Sequence, residues 1–344
     1  MHRRSFLGLL GGAGLALTGC AGARTSAGAV SLPRALPSGA PPPGTRLAIA
    51  SRTTQLQLAA SGMAKELTFH VSQWPNLSAG PDIIQGFRAH SVDLAVNAGI
   101  PPLQAAAIGV ANRIVGVAVK NRPQYVFATA PGSTVRGLED FAGRTIAFSQ
   151  GQAQGVVVLR ALKEQGLSAG DVTLVPLPST QFLTALQSGQ VDIAPLGEPT
   201  LTKYLTQYRG DGARAVTTDV LDLLTVLWAP AEVLADPAKA AAVRDVVPLW
   251  ARGQVWAWEH EHAWISTYYV RDQGVTAADG ARIVAAQGRP YFPRDWSRAI
   301  AWEKETSDLM AAGGFIPKTE AEPLFDRRFE HLAAAAVPAA YRRP

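Results

Sequence analysis

Short apolar runs alternate with amphipathic, helix-like segments in two stretches of the chain, and both stretches follow the same order. The second stretch, from 144 to 199, runs strand, helix, strand, helix, strand, and its last strand is Val191-Asp192-Ile193-Ala194. The first stretch has the same order and ends on Val92-Asp93-Leu94-Ala95. Strands that alternate with helices indicate a mostly parallel sheet covered by helices. The repeat therefore predicts an α/β fold of two similar lobes with a cleft between them.

Two segments are interpreted as the places where the chain passes between the lobes. Lys120–Tyr125 would carry the chain out of the first lobe, and the β-rich run Leu223–Trp228 would carry it back. Two crossings make a hinge, which permits closure about a ligand. We therefore assign residues 45–122 and 228–344 to lobe 1 and residues 123–227 to lobe 2.

The chain from Pro237 onward has a helical pattern and is expected to wrap lobe 1. Its aromatic residues are interpreted as packing, because an aromatic stripe on a helix is more often core than a binding site. His260 and His262 lie two residues apart and so point to different helix faces, unlike the i, i+4 pair of a zinc helix. We predict no metal and no cofactor.

Polar and glycine-containing loops follow the strands at the expected cleft, where open α/β sheets bind their ligands. Ser78–Gly80 and Gln150–Gln154 each precede a helix, whose free backbone N–H groups attract anions. Arg52 is the candidate cation, with a solvated loop arginine as the equal alternative. Glu198 would repel an oxyanion yet suit the amine of a taurine-like zwitterion, or else merely cap a helix or face solvent. The predicted ligand contacts are Arg52, Thr53, Ser78, Gly80, Asn97, Gly99, Gln150, Gln152, Thr180 and Glu198.

The beginning of the chain has the pattern of an export signal. Arg3-Arg4-Ser5-Phe6-Leu7 resembles a twin-arginine signal, and the apolar run after it, about a dozen residues, is too short to span a bilayer. Leu17-Thr18-Gly19-Cys20 resembles a lipobox and holds the only cysteine of the chain. We therefore expect a signal over 1–19, a lipidated Cys20, a flexible Ala/Gly/Ser/Pro-rich tether over 20–44, and an extracytoplasmic, lipid-anchored protein.

Composition limits the remaining function classes. The chain has 344 residues, 47% of them hydrophobic and 17% charged, which is typical of a globular protein of two domains. Its net charge of +5 comes without a run of lysines or arginines, so nucleic acid is not expected as a partner. One cysteine excludes an internal disulfide and a cysteine-built metal site.

Residues from about 46 to 335 resemble the substrate-binding proteins of ABC transporters, in the aliphatic sulfonate, nitrate and taurine group that also covers thiamine-precursor binders. The matching motifs are the runs 137–147 (GLEDFAGRTIA), 159–167 (LRALKEQGL) and 185–192 (ALQSGQVD). The resemblance implies a two-lobed, type II periplasmic-binding-protein-like fold with two β-α-β units joined by a two-strand hinge. It also implies a non-enzymatic receptor that binds a small solute, and its partners would be an ABC permease and its ATPase.

Two departures from the family pattern touch the expected cleft. Gly197-Glu198-Pro199 stands where many members carry Trp-Asp-Pro or Trp-Glu-Pro, and Gly151-Gln152-Ala153-Gln154 replaces a Ser-Ser-Ala-His type loop. The missing aromatic should leave room for a ligand bulkier than nitrate. Sulfonate, nitrate, taurine and a thiamine-precursor pyrimidine all stay open.

Two other function classes are weighed against the transport receptor. A desulfinase related to this family uses a cysteine nucleophile, and the body of this chain has none after Cys20. An enzyme with another nucleophile stays open, but the sequence shows no Ser-His-acid arrangement and no nucleophile elbow between a predicted strand and a predicted helix. A sensory lipoprotein that signals ligand occupancy is the third class.

Overall fold

Residues 30–343 are described by the structure, which is a computed structural model. The predicted export signal and the lipidation site at Cys20 lie outside the described residues. Among the helices of residues 30–343, none combines the length and the apolar composition that a membrane crossing needs.

Within residues 30–343, ten strands form two five-stranded sheets, one for each lobe. The strands are β1 (Arg46–Ala50), β2 (His70–Gln73), β3 (Leu94–Asn97), β4 (Asn112–Val119), β5 (Tyr125–Thr129), β6 (Thr145–Phe148), β7 (Thr173–Pro176), β8 (Ile193–Gly197), β9 (Ala215–Val216) and β10 (Leu224–Pro230). The first sheet has the order β2-β1-β3-β10-β4, and the second has the order β7-β6-β8-β5-β9. In each sheet three strands are parallel and a fourth strand runs antiparallel beside them. The predicted duplication and the two-lobed α/β fold are confirmed.

In the part of the chain that the structure describes, twelve α-helices surround the two sheets. They are α1 (Arg52–Ser61), α2 (Gly80–Arg88), α3 (Ile100–Ala107), α4 (Ala153–Glu164), α5 (Phe182–Gln187), α6 (Thr200–Tyr208), α7 (Ala231–Ala235), α8 (Pro237–Glu259), α9 (Glu261–Trp264), α10 (Ala277–Gln287), α11 (Ser297–Ala312) and α12 (Leu332–Ala336). The long α8 begins after Asp236, whose carboxylate accepts hydrogen bonds from the backbone N–H groups of Ala238 and Lys239. It packs against α1 and α12 on lobe 1, whereas α11 contacts both α3 of lobe 1 and α4 of lobe 2.

The repeated Val-Asp signature has the same structural role in both lobes. Val92 and Val191 are buried, and each aspartate lies just before a central strand. The Asp93 carboxylate accepts a 2.7 Å hydrogen bond from the backbone of Ala48 in β1, and the Asp192 carboxylate accepts one of 2.8 Å from the backbone of Thr145 in β6. The motif therefore fastens the third strand of each unit to the first.

The expected return crossing at Leu223–Trp228 is wrong. This run forms β10, which lies between β3 and β4 and pairs antiparallel with both. Its side chains are almost all buried, as is typical of a central strand with both faces covered. The return crossing therefore precedes Leu224, and the boundary drawn between 227 and 228 falls inside a strand of lobe 1. The first crossing, between β4 and β5, lies at 120–124 as predicted.

Part of the predicted tether lies against the body. Residues 30–44 contain no helix or strand, yet Leu32 and Leu36 pack against the core. Arg244 donates hydrogen bonds to the carbonyl oxygens of Pro37 and Gly39, and Arg328 donates one to Pro33 at 2.7 Å. The flexible tether therefore stays a prediction for residues 20–29, which the structure does not describe.

Candidate functional site

A cavity of about 270 Å³ lies beside the hinge, where β1, β3 and β8 end. Lobe 2 contributes Glu198 to its wall, and the crossing segment contributes Lys120 and Gln124. Most of the remaining wall comes from α1 and the C-terminal helices of lobe 1, including Thr53, Gln254, Trp258, Trp264, Tyr268 and Arg289. We call this space the hinge cavity.

Aromatic rings form one wall of the hinge cavity. The ring of Trp264 stacks on that of Tyr268, with centroids 4.8 Å apart and planes inclined by 8°. Tyr268 meets Tyr269 edge-on at 4.9 Å, and Trp258 from the end of α8 completes the wall. Tyr268 and Tyr269 belong to a π-helical turn at 265–270, a feature that is often found at functional sites. This wall suits the apolar part of an organic ligand.

Two neutral donors lie in the same cavity. The Nε2 atom of Gln254 is buried and has no hydrogen-bond partner among residues 30–343. Burial raises the pKa of Tyr268 to about 12, and the nearby Asp272 carboxylate adds to the rise. The Tyr268 hydroxyl therefore stays protonated at neutral pH and can donate a hydrogen bond.

Arg289 supplies a positive charge to the cavity wall. It is half-buried, and its guanidinium lies 5.1 Å from the ring centroid of Tyr341 and donates to the carbonyl of Ala340. Lys120 also lines the cavity, but its ammonium pairs with Asp222 at 2.8 Å. Among the described residues that line the cavity, Arg289 is the cation without a carboxylate within ion-pair distance. Its charge is therefore available to an anionic ligand.

Glu198 faces the hinge cavity but its charge is already paired. One carboxylate oxygen accepts hydrogen bonds from the backbone and the hydroxyl of Thr202, at 3.1 and 2.7 Å. The other oxygen lies 3.1 Å from Arg282. Both interpretations of Glu198 therefore hold in part, because it lines the cavity and also caps α6.

Arg52 does not extend a free cation into the cavity. Its guanidinium pairs with Asp272 at 2.5 Å and donates to Gln55 at 2.9 Å. Its neighbour Thr53 lines the cavity. Of the ten predicted contacts, Thr53 and Glu198 are the two that the structure brings to this cavity.

The side chains of Asn97 and Gln152 are hydrogen-bonded to the protein itself. The Asn97 amide donates to the carbonyl of Ser78 at 3.1 Å and accepts from the Trp228 indole at 2.9 Å. The buried Gln152 accepts from the Ser149 hydroxyl and, at 2.9 Å, from the backbone of Ser179, next to Thr180. Both residues therefore brace the loops that follow the strands.

The two predicted anion-binding helix N-termini meet across the lobes. A Cβ atom at Gly80 would lie 2.8 Å from the carbonyl oxygen of Gly151, so the two backbones are in contact. Gln150 donates a hydrogen bond to the carbonyl of Phe315 in lobe 1. In this arrangement the N-termini of α2 and α4 leave no ligand-sized space between them. We call this contact, with Asn97, Gly99, Gln152 and Glu303 beside it, the interlobe seam.

Gly99 packs against a buried acid at the seam. A Cβ atom there would lie 1.5 Å from Oε1 of Glu303, so only glycine fits. Glu303 is 1% exposed, and its Oε2 has no hydrogen-bond partner among residues 30–343. Burial raises the pKa of Glu303 to about 8; Asp222 adds to the rise and Arg160 of lobe 2 opposes it. The carboxyl is therefore mostly protonated at neutral pH.

Sequence reasoning missed Gln254, Trp258, Tyr268 and Arg289. The pattern predicts packing for the aromatic stripe that contains Trp250, Trp256, Trp258 and Trp264. Trp250 and Trp264 are buried and Trp258 is half-buried, but all three line the hinge cavity. The density of aromatic residues in this short stretch was the one available signal.

Known proteins resemble the chain in sequence and in fold. The family model described as NMT1/THI5 like matches residues 77–263, which is more than half of the chain. An aliphatic sulfonates-binding protein of Escherichia coli (strain K12) is 30% identical over 150 residues, which are 44% of this chain and 46% of that protein. The match thus spans less than half the length of this relative.

Solved structures share the fold at lower identity. The alkanesulfonate-binding protein of Xanthomonas axonopodis pv. citri, bound to MOPS, has a TM-score of 0.72 and 22% identity over 84% of this chain and 99% of that one. The periplasmic aliphatic sulphonate binding protein of Escherichia coli has a TM-score of 0.70 and 21% identity over 85% and 99%. The desulfurization enzyme DszB has a TM-score of 0.58 and 17% identity over 84% and 99%. These likenesses establish the two-lobed fold.

Proposed function

The chain belongs to the NMT1/THI5-like family, and we propose that it is an extracytoplasmic solute-binding lipoprotein that delivers a small, sulfonate-like anion to an ABC importer. The observation that carries this proposal is the hinge cavity, which combines an aromatic wall with a cation and neutral donors. The names of the sulfonate-binding relative and of the two sulfonate-binding structures support the choice of solute class.

The cavity offers complementary surfaces to the two ends of an organic sulfonate. Arg289 and the donors Gln254 and Tyr268 would hold the oxyanion, because hydrogen bonds between a guanidinium and an oxyanion are shorter and stronger than neutral ones. Trp258 and Tyr268 would cover the carbon chain or ring attached to sulfur. An anion buried in a cavity needs such partners, since an unpaired buried charge is strongly unfavourable.

The position of the cavity links binding to the hinge. Lys120 and Gln124 line the cavity and also belong to the first crossing between the lobes. A ligand that contacts both lobes and the crossing binds one hinge angle better than others, and this difference in affinity can shift the lobes towards closure. A permease could then distinguish the loaded protein from the empty one.

A receptor is favoured over an enzyme on the same fold. DszB shows that the fold also carries an enzyme. The described body contains no cysteine that could serve as a thiolate nucleophile. The cavity instead presents donors and aromatic rings, which are suited to holding a solute.

Titration calorimetry with a ligand panel tests the solute class. The panel contains alkanesulfonates, arylsulfonates, taurine, nitrate and aminopyrimidines, with Arg289→Gln as the site variant and Arg209→Gln on the surface of lobe 2 as the charge-matched control. We expect sulfonates to bind the intact protein and the control alike, and to bind Arg289→Gln more weakly. Binding of aminopyrimidines alone, unaffected by Arg289→Gln, would assign the protein to the thiamine-precursor binders instead.

Fractionation tests the proposed anchor. The full-length protein expressed in a bacterial host should collect in the membrane fraction, and its Cys20→Ser form should move to the soluble fraction. Replacing Arg3 and Arg4 with lysine should separately impair export. Equal partition of the wild type and the Cys20→Ser form would refute the lipid anchor without affecting the solute class.

A further inference from the structure

A second cavity lies on lobe 1, and it is lined by arginines. Its volume is about 480 Å³. Four arginines surround it: Arg294, Arg298, Arg342 and Arg343. They come from the loop before α11, from the first turn of α11 and from the end of the chain, so the fold brings together charges that are far apart in sequence.

Most of this charge has no partner within the protein. Arg342 is held in place because its guanidinium donates to the carbonyl oxygens of Ala334 and Val337, at 2.8 and 3.0 Å. Arg294, Arg298 and Arg343 are exposed, and within residues 30–343 none of them lies in ion-pair distance of a carboxylate. Three unpaired guanidinium groups around one hollow repel one another, and a bound anion would relieve that repulsion.

Two local features affect the electrostatic potential of this cavity. Arg298 lies in the first turn of α11, where the helix already carries partial positive charge and a cation is unfavourable. Asp295 is the acid that lines the cavity, and its carboxylate accepts a 2.8 Å hydrogen bond from the backbone of Ser297. One carboxylate does not neutralise four arginines, so the cavity keeps a net positive charge.

The remaining wall is apolar. Val119 and Ala299 are buried beneath the cavity, and Tyr291, Pro293 and Ala339 complete the wall. A small inorganic anion would leave this surface uncovered. The cavity therefore fits an anion that carries an apolar or glycerol-like substituent.

We propose that this arginine cavity binds a phosphoryl group that carries such a substituent, either on a membrane phospholipid or on a soluble phosphoester. The forked guanidinium groups match the several oxygens of a phosphoryl group. This site is separate from the hinge cavity and does not depend on the solute bound there.

The path of the N-terminal segment favours the phospholipid as the source. Pro33 accepts a hydrogen bond from Arg328, and the nearby Glu330 accepts one of 2.8 Å from the backbone of Trp296, between Arg294 and Arg298. The segment thus reaches the body beside the arginine cavity. The ~13 residues from Cys20 to Pro33 can span at most about 45 Å, so a lipidated Cys20 would hold Pro33 within that distance of the membrane surface.

Vesicle co-sedimentation tests the proposal with the full-length chain in its Cys20→Ser form. Vesicles of phosphatidylcholine are compared with vesicles that also contain phosphatidylglycerol. Arg294→Gln/Arg298→Gln is the site variant, and Arg136→Gln/Arg209→Gln, two exposed arginines of lobe 2, is the charge-matched control. We expect the protein to bind more tightly to the vesicles that contain phosphatidylglycerol. The control should keep this affinity, and the site variant should bind these vesicles about 30-fold more weakly.

Calorimetry with glycerol 3-phosphate separates the two sources. Saturable binding that the site variant loses, without any preference among vesicles, would assign the cavity to soluble phosphoesters. Equal vesicle binding by the site variant and the control, with no binding of glycerol 3-phosphate, would overturn the proposal. Matching melting temperatures of the two double variants show that the site variant is folded.

Discussion

Along the interlobe seam, Asn97 and Gln152 hydrogen-bond to loops of the protein itself, whereas in the hinge cavity the Gln254 amide nitrogen has no partner among the described residues. The seam lies at the strand ends, where the sequence pattern placed the ligand. The cavity depends mainly on helices from the C-terminal part of the chain, where the pattern indicated only packing.

The difference between the two regions lies in whether the side-chain amide donors are already paired. A donor that bonds to its own protein stabilises the fold, and a ligand must replace that bond to use it. An unpaired buried donor is unfavourable until a ligand arrives, so it adds to affinity. Changes at the seam should therefore affect mainly stability, and changes in the hinge cavity should affect mainly affinity.

The largest effect is expected at Glu303. Its pKa is about 8 in the folded protein, against an ordinary value of 4.5, so the folded state holds a proton that the unfolded state has lost between these pH values. Stability should therefore fall as pH rises from about 4.5 to 8, by on the order of a few kcal/mol in total, and then level off.

Glu303→Gln should remove this slope, because the amide stays neutral. Denaturant unfolding from pH 5 to pH 9 measures how the free energy of unfolding changes with pH. Glu320→Gln, which replaces an exposed acid, is the control. The charged groups that act on Glu303 are Asp222 and Arg160, which do not line the hinge cavity, so the pH dependence should persist in the Arg289→Gln and Tyr268→Phe variants. A wild type whose stability does not change between pH 5 and pH 8 would contradict the raised pKa.

The next effect is expected at Arg289. Arg289→Gln should weaken sulfonate binding by about 1.5–3 kcal/mol, which is roughly 10- to 150-fold, because it removes a charged hydrogen-bond donor from the cavity. Calorimetry measures the affinity, and Arg209→Gln controls for the loss of charge. Unchanged affinity in Arg289→Gln would show that Arg289 does not contact the ligand.

Gln152→Ala should lower stability by about 1–3 kcal/mol, since it leaves the backbone of Ser179 without its acceptor. Sulfonate affinity should change little. Urea unfolding and calorimetry on the same preparation separate the two quantities. A variant that keeps its stability but loses affinity would show that Gln152 contacts the ligand, as the sequence predicted, and the contrast between seam and cavity would fail.

The smallest effect is expected at Tyr268. Tyr268→Phe keeps the aromatic wall and removes the hydroxyl, so sulfonate affinity should fall by about 0.5–1.5 kcal/mol, while the melting temperature stays close to that of the wild type. Tyr208→Phe, at the end of α6 and outside the cavity lining, is the matched control. A loss of stability in Tyr268→Phe with unchanged affinity would place this ring among the packing residues.

The sequence by itself determined the elements and their duplication. The strands that follow Asp93 and Asp192 and the helix start at Pro237 lie close to where the pattern predicted them. These features follow from local causes: the alternation of apolar residues, the helix start after Asp236, and a Val-Asp pair that fastens neighbouring strands in each lobe. The same periodicity cannot tell a buried crossing from a central strand, which is why β10 was assigned wrongly.

Only the tertiary structure decided which polar groups are free. Arg52 is paired because Asp272, 220 residues later, lies beside it, and Gly99 is required because Glu303 packs against it. The hinge cavity draws Thr53, Glu198 and Arg289 from distant parts of the chain. Whether a donor remains for a ligand depends on such long-range partners, and these are set by how the elements pack rather than by the local pattern that forms them.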